Sequence, residues 1–157
     1  MRRVLSGLVC ISGLLALLTT GVTGAEPKDE VIKKDRKQIE GKWRVVALVA
    51  FGNKSADEDA KRILVVNAAD GTWSLHSEDK EIAKGTSTID PTKKPKTIDF
   101  TQTEGEGKGL QYLGIYELGE KTRKMCFAQP GKERPTEFSS SSDNQHILVS
   151  FEREKAK

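Results

Sequence analysis

Cysteine is nearly missing from this chain of 157 residues, which has two, Cys10 and Cys126. Cys10 lies within the apolar run Val4–Leu18. A basic start, Met1-Arg2-Arg3, precedes that run, and the small residues Val22-Thr23-Gly24-Ala25 follow it. This is the pattern of a secretory signal peptide over residues 1–25, with cleavage after Gly24 or Ala25. The competing reading is an uncleaved anchor, since the weakly apolar stretch reaches Val22 and could just span a bilayer. Gly7, Gly13 and Gly21 favour cleavage, as does the small-residue exit. No small residue adjoins Cys10 on its N-terminal side, which argues against a lipoprotein. With the leader gone Cys126 is the only thiol, so an intrachain disulfide is excluded although the exported compartment would permit one.

Net charge is scarce as well. The formal value is +3, from 26 basic and 23 acidic residues. Arg2 and Arg3 leave with the leader and no acid does, so 24 bases face 23 acids and the mature charge is about +1. Nothing in that balance calls for nucleic acid, and a membrane partner follows only if the leader is retained. Histidine is limited to His76 and His146, without HExxH or CxxC spacing, which leaves no case for a metal or cofactor. Both occupy polar positions of alternating strands and are expected to face water. No Gly-x-Ser-x-Gly elbow occurs. Gly105-Glu106-Gly107-Lys108-Gly109 lacks a Gly-Lys-Ser/Thr ending and precedes a strand, so no helix N-terminus could hold a phosphate there. Glu104 and Glu106 share that loop, which is too loose to preorganise a carboxylate pair. The expected class is non-enzymatic.

What the chain has is period-two patterning. Tyr112–Leu118, a turn at Gly119-Glu120-Lys121-Thr122 and Arg123–Ala128 read as a hairpin. A Pro/Gly loop then leads to a short extended piece ending at Phe138. Upstream, residues 26–36 are polar and read as a flexible tether running into a short helical turn near Val31–Ile39. Trp43–Phe51 is a strand with Trp43, Val45, Ala47, Val49 and Phe51 on one face. Ser55–Arg62 suggests one or two helical turns, because acids come early and bases late. Strands follow at Ile63–Val66, Thr72–Ser77, Glu81–Ile89 and Thr97–Thr101, and His146–Glu152 closes the series. Asp90–Pro95 cannot be regular, since Pro91 and Pro95 remove donors. About eight short strands with successive pairing predict an all-β fold: a small antiparallel up-and-down, lipocalin-like barrel over residues 37–155 with a short N-terminal helical turn. A seven-stranded sandwich is the competitor, but the immunoglobulin Cys…Trp…Cys spacing is missing.

Several stretches carry a resemblance. They are Gly41-Lys42-Trp43-Arg44-Val45-Val46, Asp90-Pro91-Thr92-Lys93-Lys94-Pro95-Lys96-Thr97-Ile98-Asp99, Leu113–Leu118, Cys126-Phe127-Ala128 and Gly131–Phe138. In order and spacing, from about Lys37 to Lys155, the chain resembles a family of small exported proteins found mainly in planctomycetes and described as an uncharacterised lipocalin-like domain. Gly41-x-Trp43 after a helical turn is also similar to the opening of lipocalins. The resemblance implies the barrel and brings no established activity, cofactor or catalytic residue.

The functional expectation is an exported (periplasmic or extracellular) binding module. It would hold a small apolar or amphipathic ligand, lined by Trp43, Trp73, Phe100, Tyr116 and Phe127. The alternative is a filled barrel that binds a cell-envelope polymer or protein through its loops, Lys93–Lys96 and Gly131–Thr136. Cys126, between Met125 and Phe127, is expected to be buried and inert. Arg134 is expected to pair locally with Glu133 and Glu137.

Overall fold

Strand alternation in this sequence resolves into a sheet that closes on itself. The computed structural model describes residues 27–155, so the leader expected over residues 1–25 lies outside the described residues. The elements are α1 (Lys28–Ile39), β1 (Gly41–Ala50), β2 (Asn53–Lys54), α2 (Asp57–Lys61), β3 (Ile63–Asn67), β4 (Thr72–Ser77), β5 (Lys80–Asp90), β6 (Lys96–Glu104), β7 (Gln111–Leu118), β8 (Thr122–Phe127) and β9 (Ile147–Arg153). All pairings are antiparallel between neighbours, and β1 pairs with both β3 and β9. The eight longer strands therefore form a closed up-and-down barrel, with two-residue β2 added beside the end of β1. Closure leaves no long unpaired edge, which is how an all-β chain of this size avoids edge-to-edge association.

Two strand details differ from simple alternation. On β1, Val45 stands opposite Phe151 and Ala47 opposite Ser150, which leaves Val46 as an extra residue. This β-bulge reverses the phase. Trp43 and Val45 face inward before it, and Leu48 faces inward after it, opposite Val149. Val49 is thus not on the Trp43 face as alternation predicts. On β7, Gly114, Ile115 and Tyr116 are all buried, because a loop covers the outer side. Residues 128–146 lie over it without strand structure, so the extended piece ending at Phe138 does not pair. The loop seals Ile115, Cys126 and Ala128, at 1, 0 and 0% exposure.

The segment expected to be a tether running into a short helical turn near Val31–Ile39 is helical from Lys28, a twelve-residue helix across one end of the barrel. Its polar residues are partners for distant strands rather than solvent. Asp35, 4% exposed, accepts bonds from Tyr116 Oη (2.6 Å) and Lys96 Nζ (2.8 Å). Arg36 bonds the Ser87 hydroxyl and carbonyl, Gln38 donates to the Gly119 carbonyl, and Lys28 pairs with Asp90. Burial, and then the Asp35 carboxylate, push the Tyr116 hydroxyl far above its ordinary pKa, so it stays protonated as a donor. This end carries the 68–71, 91–95 and 119–121 turns, and α1 closes it. The opposite end carries the 51–62, 78–79, 105–110 and 128–146 connections, and it is open.

Trp43 joins helix to barrel. It is 0% exposed, and its Nε1 donates to the Ile39 carbonyl at 2.7 Å. Trp43→Ala is expected to cost about 3–5 kcal/mol in denaturant titration, the range of large-to-small aromatic core changes. A loss under about 1 kcal/mol would contradict this anchoring role.

Candidate functional site

Inside the barrel above α1 lies a cavity of about 310 Å³. It runs from Arg123 and Phe151, near the closed end, past Met125 and Val149 to Leu48, Gln102, Tyr112 and Ile147 toward the open end. Its volume sits at the low end for small-molecule sites. A larger groove of about 1160 Å³ crosses the outer face of β1. It is a charged surface whose Arg44 is engaged with Glu154 at 2.8 Å. A mostly apolar lining favours the interior cavity as the site.

The local sequence explains why the barrel is not filled. The inward row of β5 is Ala83, Gly85, Ser87 and Ile89, three of them small. Gly85 stands opposite Trp73 and Gly114 opposite Phe127. A Cβ at Gly85 would come within 2.5 Å of the Trp73 ring, and one at Gly114 within 2.4 Å of the Phe127 ring. The missing side chains let both rings lie against the sheet instead of crossing the lumen. Phe100 then packs edge-on to Trp73 (centroids 5.6 Å) and tilted against Phe127 (5.0 Å). One wall is therefore a run of three aromatic rings.

Of the five residues expected to line a ligand, Trp73, Phe100 and Phe127 are on that wall. Trp43 and Tyr116 are not. They are buried beneath the cavity, where α1 takes up the Tyr116 hydroxyl and two guanidinium groups cover the Trp43 ring. Arg153 lies 4.3 Å from the Trp43 ring centroid and donates to the carbonyls of Gln38 and Glu40. Arg123 lies 4.8 Å from Trp43 and 4.3 Å from Phe151.

Arg123 is the residue that strand-by-strand reading passed over. It is 2% exposed, it lines the cavity, and its Nε and Nη1 have no hydrogen-bond partner among the described residues. Burial, with Arg153 adding to it, lowers its pKa to about 9, which still leaves it charged at neutral pH. A signal was available. Arg123 is in phase with Met125 and Phe127, so the inward face of that hairpin carried a cation from the start.

The remaining candidates are structural. Arg134 holds no local pair. It grips the Asp99 carboxylate with both terminal nitrogens and donates to the Gly114 carbonyl at 2.7 Å, strapping the covering loop to β6 and β7. His76 Nε2 lies 2.9 Å from the Ser74 hydroxyl. His146 is half-buried rather than fully exposed, and its Nδ1 is buried without a hydrogen-bond partner among the described residues. Among the described residues no three metal-ligating side chains converge, and no helix is long and apolar enough to cross a membrane. The Lys93-Lys94 turn sits at the closed end, away from the cavity. Comparison with protein-family models, with curated proteins and with solved structures finds no match to this chain.

Cys126 lies under the loop, and its Sγ donates to the Ser139 carbonyl at 3.3 Å. Burial raises its thiol pKa, which disfavours the reactive thiolate. A thiol reagent should label it slowly in the native protein and rapidly in denaturant. Fast native labelling would contradict the sealed loop.

Proposed function

We propose that this chain is an exported, non-enzymatic binding module that carries one small apolar or amphipathic ligand inside its barrel, as a member of the lipocalin-like family its strand motifs resemble. The observation that carries this reading is the 310 Å³ apolar cavity with its aromatic wall. A barrel of eight strands has an interior that side chains can just fill, and here β5 supplies small ones. The large apolar residues exposed at 41–49% (Phe51, Ile82 and Leu110) all belong to the open end. They give that rim the apolar character an entering ligand would meet.

Magnitudes limit what the cavity can do alone. Burying about 300 Å² of apolar ligand surface at ~25 cal/mol per Å² yields about 7.5 kcal/mol. Micromolar affinity needs about 8 kcal/mol, and association costs are subtracted first. Apolar contact alone therefore supports binding weaker than micromolar, and a tighter complex requires a polar anchor.

The test is titration with the neutral fluorophore N-phenyl-1-naphthylamine. Saturable binding, weaker than micromolar, should quench tryptophan emission, with most of the quenching lost in Trp73→Phe because Trp73 is the indole on the wall. Absence of saturable binding by a folded sample would overturn the carrier reading in favour of a filled interior acting through surface loops.

A further inference from the structure

A protonated guanidinium in an apolar interior costs several kcal/mol unless its N–H groups are bonded and its charge is met. Arg123 has a partial solution. The faces of Trp43 and Phe151 attract its charge, an interaction on the order of 2 kcal/mol when desolvated. Aromatic faces do not accept the fork of N–H groups that matches a carboxylate. Its nearest charged neighbour is another cation, Arg153, whose own hydrogen bonds go to backbone carbonyls. Neither arginine forms an ion pair with any acid among the described residues. The buried acid of this end, Asp35, is already engaged by Tyr116 and Lys96. The floor of an otherwise apolar cavity thus holds positive charge that the fold does not neutralise.

Building on the carrier reading, we propose that Arg123 is an anion anchor and that the ligand is an amphipathic carboxylate, bound with its head group on Arg123 and its apolar body along Trp73, Phe100 and Phe127. The arrangement has a defined polarity. Among the described residues the only cation lining the cavity is at its inner end, the wall between is mostly apolar, and the exposed large hydrophobics are at the mouth. A ligand of this chemistry therefore enters head first and leaves its tail toward the rim. Removal of the charge forfeits its contacts with the Trp43 and Phe151 faces but breaks no hydrogen bond or ion pair among the described residues. It also relieves the larger cost of an unpaired buried charge. Replacing a buried unpaired ion by an apolar side chain of similar length is often neutral or stabilising.

The test compares lauric acid with 1-dodecanol, which share a chain and differ in charge, by calorimetric titration of the full folded chain at neutral pH. The wild type should bind the acid at least about tenfold more tightly, as expected when a buried cation gains a charged acceptor. In Arg123→Met that preference should vanish while the alcohol still binds, and the melting temperature should stay level or rise. In Arg123→Lys part of the preference should return. Equal affinity for acid and alcohol in the wild type would overturn the anion anchor and leave the carrier reading standing. Binding of neither ligand by a folded sample would overturn both. Should Arg123→Met not fold, the wild-type comparison still decides, and the expectation of a neutral substitution is itself refuted.

Discussion

The desolvated Trp43 ring, held between a helix end and Arg153, is the constraint on which the rest of the barrel depends. Its Nε1 bonds the Ile39 carbonyl, and Arg153 covers it while bonding the carbonyls of Gln38 and Glu40. The last carbonyls of α1, which a helix cannot satisfy internally, are in this way satisfied by the first and last strands. One cluster fixes where the chain enters the barrel, where the barrel closes, and which end is capped. The polar bonds of α1 to Tyr116, Ser87, Gly119 and Asp90 extend the same cap across β5 to β7.

Capping one end has consequences at the other. With α1 filling the base, the inward positions farther along can be small or lie flat without collapse, as at Gly85 and Gly114. The resulting cavity has a mostly apolar wall, with Arg123 at its floor. Arg123 is there because β8 runs into the Trp43 cluster, where its charge can rest on two rings. A purely structural residue at that position would be better apolar, since an unpaired buried charge lowers stability. The proposed bound carboxylate would meet the charge that the Trp43 and Phe151 faces meet only in part.

Much of the architecture was legible in the sequence, because strand periodicity and turn residues are local signals. The β7–β8 hairpin and the β3, β4 and β9 strands lie within one or two residues of expectation. The misses share a cause. A helical turn was expected only near Val31–Ile39. The longer docked helix over residues 28–39 was missed because Asp35, Arg36 and Lys28 read as solvated charges until their partners, 51 to 81 residues away, come into view. Arg134 was assigned to its neighbours when its carboxylate partner is Asp99, 35 residues upstream. Alternation on β1 failed at Val46, because a bulge leaves no compositional trace among consecutive apolar residues. For the site, aromatic content identified three wall residues but could not separate those lining the cavity from Trp43 and Tyr116 below it. The distinction depends on depth along the barrel axis.

The central claim is that the interior is built to receive a ligand whose charge complements Arg123. Native mass spectrometry of the chain purified gently from its own source tests it most directly. The account predicts a folded species heavier than the polypeptide, with the extra mass released on denaturation and recovered as a negative ion of a small amphipathic acid. Recovery of the bare polypeptide mass alone, from protein that remains folded and monodisperse, would contradict it.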